Sequence, residues 1–192
     1  MGDVMDALAG GSVELFDTEP NRRPSFGVAL GASAGGLEAL TAFFQNIPPS
    51  TGLTFVVIQH LSPDFKSMMD TLLSRHTAMS VVPAEDGAVL EPDTVYLIQP
   101  RTSLAIRDGK LRVEQNAGNS RVHLPIDFFL FSLAREFGDR AVAVILSGTG
   151  ADGSAGIREV KAHGGRVFAQ TAQSARFDGM PESAVATGVV DA

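Results

Sequence analysis

The chain has 192 residues, of which 44% are hydrophobic and 19% charged, so its composition is that of a globular protein. This length suits one domain with a substantial buried core. A formal net charge of −7 disfavours non-specific binding to nucleic acids or anionic membranes. The lack of cysteine excludes a disulfide framework and a thiol nucleophile. No apolar run approaches the ~20 residues of a membrane span, and the N-terminus lacks the basic start of a signal peptide, so we expect a cytoplasmic protein.

Strand-like and helix-like segments alternate along most of the chain. Residues 1–24 form a mixed leader that ends in a proline-containing linker. Apolar runs typical of buried strands then alternate with segments of helical spacing, and Pro125 and Gly138 are placed to begin and end one helix. Asp108-Gly109 is typical of a hairpin turn. In chain order we predict strand 26–30, helix 37–46, strand 54–59, helix 63–74, strands 79–83, 95–98, 103–106 and 111–114, helix 125–137, strand 141–146, helix 155–163, strand 166–169, helix 181–186 and strand 189–190.

This alternation predicts an α/β domain over residues 25–192. Repeated β–α units favour a doubly wound, mostly parallel sheet with helices on both faces. The strands predicted between residues 95 and 114 break the rhythm, and we interpret them as a small antiparallel hairpin insertion or an edge of the sheet. In sheets of this kind, sites form beyond the carboxyl ends of the strands, so functional residues are expected there.

Three polar residues each follow a predicted strand. Ser33 lies in Gly31-Ala32-Ser33-Ala34-Gly35, which fits the G-x-S-x-G nucleophile elbow between a strand and a helix. His60 follows the strand at 54–59, and Asp152 lies in the glycine-rich loop after 141–146. If these strands are parallel neighbours, the three side chains meet at one edge of the sheet. Histidine can activate a serine, and a carboxylate can fix the tautomer of the histidine, so the set predicts a catalytic triad.

Each of these residues also has a structural interpretation. Ser33 can cap a helix after a tight turn, His60 can be a hydrogen-bonded loop residue, and Asp152 can be the N-cap of the next helix. The glycines around Ser33 can also cradle a phosphate. That interpretation is weaker, because serine replaces the second glycine of the dinucleotide-binding pattern and no acidic residue ends the second strand. The four histidines are scattered, so no metal site is predicted.

Several motifs, taken together and in order, resemble the catalytic domain of the chemotaxis protein-glutamate methylesterases (CheB type). They are GASAGG at 31–36, QH at 59–60, AEDG at 84–87, LPID at 124–127, LSGTGADG at 146–153 and FDGMP at 177–181. The resemblance extends from about residue 26 to residue 192. It implies that Ser33 is the nucleophile, His60 the base and Asp152 the acid that orients the base.

The resemblance also implies a reaction and a partner. The reaction is hydrolysis of glutamate γ-methyl esters on the cytoplasmic helices of chemoreceptors, through an acyl-enzyme and without a cofactor. Family members also deamidate glutamine side chains. The alternative is a non-catalytic domain of the same fold that docks receptors or signalling partners. Oxyanion and substrate contacts are expected from Thr149, Gly150, Ala34 and Met180.

The sequence departs from the family pattern at two positions and in its organisation. Thr149 stands where the family usually has methionine, and Ala34 where it usually has threonine. The segment before Ser25 is too short for the regulatory receiver domain of the family. The FDGMPESA segment at 177–184 is similar to forms in which the esterase is fused ahead of a methyltransferase, so we expect a fused or associated methyltransferase.

Overall fold

A six-stranded parallel sheet forms the centre of the protein. The computed structural model describes residues 23–59, 69–115 and 124–192. Its strands are β1 (Gly27–Ala32), β2 (Thr54–Gln59), β3 (Ser80–Pro83), β4 (Thr94–Leu97), β5 (Thr102–Arg107), β6 (Lys110–Gln115), β7 (Ala141–Ile145) and β8 (Arg166–Ala169). The sheet has the order β3-β4-β2-β1-β7-β8, and every pair in it is parallel. Strands β5 and β6 form a separate antiparallel hairpin. The grouping of the strand predicted at 95–98 with this hairpin is wrong: it is β4, which is buried throughout and pairs in parallel with β2 and β3.

The helices cover both faces of this sheet. They are α1 (Gly36–Gln45), α2 (Met69–Leu73), α3 (Pro125–Phe137), α4 (Ser154–Ala162) and α5 (Gly179–Val185). Side chains alternate across a strand, so neighbouring residues of β1 enter different cores. Val28 and Leu30 pack in the cluster that contains α1 and α2, whereas Ala29 packs in the cluster with α3, α4 and the hairpin. The predicted fold class, a doubly wound α/β domain with a hairpin insertion, is confirmed.

Local signals predicted several elements with their observed bounds. The segments 54–59, 125–137 and 166–169 have the bounds predicted from the sequence. Pro125 occupies the first turn of α3, and the helix ends at Gly138, whose φ is +57°. Asp108 and Gly109 both have positive φ, as expected for the turn that joins β5 and β6.

The strand predicted at 189–190 is wrong. Residues 189–192 pair with β8 only through single bonds: the N–H of Asp191 donates to the Val167 carbonyl at 2.8 Å, and the N–H of Ala169 donates to the Ala192 carbonyl at 3.0 Å. The carboxylate of Asp191 accepts the N–H of Val167 at 2.9 Å. The Val167 N–H is therefore bound to a side chain and is not available to a backbone carbonyl of a neighbouring strand.

Some predictions fall on parts of the chain outside the described residues. These are residues 1–22 of the leader, residues 60–68 and residues 116–123. His60 and the first half of the helix predicted at 63–74 are among them. Within the described ranges, no helix has the length and apolar character needed to cross a membrane.

Candidate active site

The carboxyl ends of three neighbouring strands meet at the candidate site. β1 lies between β2 and β7, and all three strands are parallel, as the sequence predicted. Ser33 follows β1 directly, and its N–H donates to the carbonyl of Ser147, just after β7, at 3.0 Å. Asp152 lies further along the same loop after β7. His60 follows β2 in the sequence but lies outside the described residues.

A cleft of about 390 Å³ brings most of the predicted site residues together. Ala34 does not line this cleft, although it follows Ser33 directly. The cleft is lined by Ser33 and Asp152, the two predicted triad residues that the structure describes. The full lining is Ser33, Leu124, Ile126, Thr149, Gly150, Ala151, Asp152 and Met180.

The turn around Ser33 has the strand–turn–helix geometry of a nucleophile elbow. The N–H of Gly36 donates to the Ser33 carbonyl at 3.0 Å, and α1 begins at Gly36. Gly35 has φ +72°, and a Cβ there would lie 2.7 Å from the Ser147 Oγ, so both the conformation and the space require glycine. The helix has no side-chain cap, so Ser33 is not the cap of α1. Ser33 is half-buried, which leaves part of it open to the cleft.

Ser147 joins the elbow to the segment before α5, a role that the sequence interpretation missed. Its fully buried hydroxyl donates to the Ala34 carbonyl at 2.9 Å and accepts the N–H of Phe177 at 3.0 Å. Its own N–H donates to the Oε1 of Gln170 at 2.8 Å. The available signal was a hydroxyl residue at the end of an apolar strand, directly before a glycine-rich loop. Ala34 therefore contributes its backbone to the support of the elbow.

The glycine-rich loop passes tightly between Ser33 and Met180. A Cβ at Gly148 would overlap the Met180 Sδ and would lie 3.0 Å from the Ser33 Cβ. The N–H of Met180 donates to the Gly148 carbonyl at 2.9 Å, which fixes the two segments to each other. Among the described residues, the N–H groups of Thr149 and Gly150 have no hydrogen-bond partner. Unpaired N–H groups beside a nucleophile are suited to stabilise an oxyanion, so these two are candidate donors.

Asp152 is held by the beginning of α3 and not by its own helix. Its Oδ2 accepts the N–H of Ile126 at 3.1 Å, and its Oδ1 accepts the N–H of Asp127 at 3.0 Å. Helix α4 begins at Ser154 without a side-chain cap, so the interpretation of Asp152 as the cap of its own helix is wrong. Burial raises the pKa of Asp152, and the charge of Asp127 adds to this rise, whereas hydrogen bonds from the N–H groups of Asp127, Ile126 and Gly153 lower the pKa. Asp152 therefore presents an oriented, partly buried carboxyl group that lines the cleft.

Comparisons with known proteins point to one family. Residues 28–192 match the family model described as CheB methylesterase. The crystal structure of the Thermotoga maritima CheB methylesterase catalytic domain matches with a TM-score of 0.77 and 31% identity, over 87% of this chain and 90% of that one. A protein-glutamate methylesterase/protein-glutamine glutaminase of Rhizobium meliloti is 32% identical over 91% of this chain and 50% of its own length.

A second relative is much longer than this domain. An uncharacterized 104.1 kDa protein of Rhodobacter capsulatus is 52% identical over 124 residues, which is 64% of this chain and 13% of that protein. The chain spans about half the length of the curated methylesterases it matches.

Proposed function

This chain belongs to the CheB methylesterase family, and we propose that it hydrolyses glutamate γ-methyl esters on the cytoplasmic helices of chemoreceptors. The observation that carries the proposal is the shared cleft of Ser33 and Asp152, at the carboxyl ends of neighbouring strands β1 and β7. A serine in an elbow and an oriented carboxyl group are two parts of a serine hydrolase triad. The sequence supplies a histidine directly after β2, the other neighbour of β1.

The mechanism assigns one role to each residue of the triad. Ser33 Oγ attacks the ester carbonyl carbon while His60 accepts the serine proton. His60 then gives this proton to the methoxy oxygen as its bond to the carbonyl carbon breaks, and methanol leaves. Water, activated by the same histidine, cleaves the acyl-enzyme and leaves a free glutamate. Asp152 orients the imidazole and stabilises the imidazolium. The N–H groups of Thr149 and Gly150 stabilise the negative oxygen of each tetrahedral intermediate.

The environment of Asp152 supports this assignment of roles. A carboxylate in a partly dry wall interacts more strongly with an imidazolium than one in water does. Its two N–H donors come from the rigid first turn of α3, so the side chain is oriented before substrate binds. Deamidation of glutamine is a second reaction of the same machinery, with ammonia as the leaving group in place of methanol.

We place the reaction in the cytoplasm, where the helices of the proposed receptor substrate lie. A methyltransferase is proposed as a fused or associated partner, because it would produce the ester that this domain removes. The similarity to a segment that makes up 13% of a 104.1 kDa protein supports a place for this domain within larger chains.

Methanol release from a methylated receptor tests the proposal. We expect Ser33→Ala to lose on the order of 10⁴-fold or more in kcat, because the nucleophile is removed. Ser74→Ala is a matched control, since the exposed Ser74 hydroxyl, just after α2, donates to the Thr71 carbonyl at 3.3 Å and does not line the cleft. Equal methanol release by wild type and Ser33→Ala would exclude the esterase. Receptor binding without any turnover by wild type would favour the non-catalytic docking domain instead.

A further inference from the structure

Two helices that begin beside the cleft cap each other. The N-cap residues of α3 and α4, Leu124 and Gly153, make no side-chain cap. The carboxyl group of Asp152, just before α4, accepts two N–H groups from the first turn of α3. In return, the Oδ1 of Asp127 on α3 accepts the N–H of Gly156 on α4 at 2.7 Å. The first turn of α3 thus has two N–H groups accepted by Asp152, and the first turn of α4 has one N–H group accepted by Asp127.

Helices α3 and α4 pack closely at this pair of caps. A Cβ at Gly156 would lie 2.5 Å from the Leu130 Cβ and 3.2 Å from the Asp127 Cα, so only glycine permits this distance. Asp127 is 6% exposed, although its side chain is a polar carboxyl group. A charged side chain is kept in such a place only when it is hydrogen-bonded. The position of Asp127 therefore depends on its bond to Gly156, and the separation of the two helices depends on it as well.

Asp127 binds both Asp152 and the helix that follows it, α4. Its N–H donates to the Asp152 carboxyl group, and its own carboxylate binds the third residue of α4. Only Gly153 separates Asp152 from the start of α4, so a shift of that helix is transmitted to Asp152. We propose that Asp127 is a positioning residue for Asp152, through the paired caps of α3 and α4. This inference rests on the proposed esterase function, and it gives the LPID motif a role that the triad alone does not.

A purely structural cap is the competing interpretation, and the chain offers a matched control for it. Asp93 precedes β4 at the amino ends of the strands, the opposite edge of the sheet from the cleft. Its Oδ1 accepts the N–H groups of Thr51 and Gly52, at 2.5 and 2.9 Å, before β2. Asp93→Ala removes a similar cap far from Ser33. A general loss of stability should look the same in variants of Asp93 and Asp127, whereas a positioning effect should appear only at Asp127.

The experiment measures three quantities for wild type, Asp127→Ala, Asp127→Asn and Asp93→Ala. They are Tm, the kcat and KM of methanol release, and the rate at which a fluorophosphonate labels Ser33. In labelling, Ser33 Oγ bonds to phosphorus, fluoride leaves and the base takes the serine proton, so the rate reports the triad without the receptor. We expect Asp127→Ala to reduce kcat and labelling by about 10- to 100-fold with KM changed less than about 2-fold.

Rescue by the conservative variant distinguishes positioning from folding. Asparagine keeps an oxygen that can accept the Gly156 N–H, so Asp127→Asn should recover kcat to within about 3-fold of wild type. Asp93→Ala should lower Tm and leave kcat and labelling unchanged. If Asp127→Ala does not fold, Asp127→Glu replaces it, because the longer side chain displaces the carboxylate and should slow both reactions.

Each result decides the inference or the function behind it. Wild-type kinetics in Asp127→Ala, an equal loss of kcat in Asp93→Ala, or no recovery in Asp127→Asn would each overturn the role of Asp127. Labelling of wild type without methanol release would exclude the proposed substrate, and the labelling rates would still test Asp127. The lack of both reactions in wild type would overturn the function and the inference together.

Discussion

The replacement of Ser147 by alanine removes one hydroxyl that holds the elbow of Ser33 in place. This hydroxyl is fully buried, donates to the Ala34 carbonyl at 2.9 Å and accepts the N–H of Phe177 at 3.0 Å. The bond between the Ser33 N–H and the Ser147 carbonyl remains in the variant, because it uses only the backbone. We therefore expect a folded protein whose elbow and neighbouring loop are less firmly joined.

The size of the effect follows from the two groups that lose their partner. A fully buried polar group left unpaired costs about 1–3 kcal/mol, and the bonds to the Ala34 carbonyl and the Phe177 N–H are only partly buried. We therefore take the lower end for each group and expect the free energy of unfolding to fall by roughly 2 kcal/mol. For a domain of this size, that change lowers Tm by roughly 4–8 °C. Because Ser33 adjoins Ala34, we also expect kcat to fall by about 10-fold or more through misplacement of the nucleophile.

Thermal unfolding and methanol release measure these two effects, and Ser132→Ala is the control. The Ser132 hydroxyl donates to the Phe129 carbonyl at 2.7 Å and accepts the N–H of Ile106 at 2.9 Å, so it makes the same kinds of bond between α3 and β5. Ser132 does not line the cleft. Ser132→Ala should have a lower Tm than wild type and an unchanged kcat.

Two results would refute this reasoning. An unchanged Tm in Ser147→Ala would mean that the Ala34 carbonyl and the Phe177 N–H find other partners. A loss of kcat no larger than that of Ser132→Ala would mean that the hydroxyl does not position Ser33.

Two further predictions concern the glycine-rich loop. In Gly148→Ala the new Cβ would overlap the Met180 Sδ and would lie 3.0 Å from the Ser33 Cβ. We therefore expect kcat in the methanol assay to fall by a larger factor than KM rises, and wild-type kinetics would contradict the close packing of this loop. Burial raises the pKa of Asp152 above its ordinary value of 3.8, so the folded state binds this proton more readily than the unfolded chain does. Wild-type stability should therefore fall as the pH rises from 3.8 through the raised pKa, and Asp152→Asn should lack this loss. Urea unfolding over that range should show the asparagine variant gaining relative to wild type as the pH rises, and a constant difference would contradict the burial effect.

Local spacing was sufficient to predict most of the fold. The β-branched run at 54–59 is a strand that is buried almost throughout, and Pro125 and Gly138 bound α3 as their backbone preferences predict. The strand predicted at 189–190 failed because the Asp191 carboxylate takes the Val167 N–H. That competition between a side chain and a carbonyl is invisible in a two-residue apolar pattern.

The sequence by itself determined most of the elements, the elbow around Ser33 and the position of Asp152 in a loop after a buried strand. These depend on neighbours in the chain, where glycine, proline and apolar spacing act directly. Only the tertiary structure decided that Asp152 caps α3, that Asp127 caps α4 and that Ser147 joins the loops around Ser33. Each of these bonds links residues 25 to 113 positions apart, so it exists only after the helices and the sheet have packed.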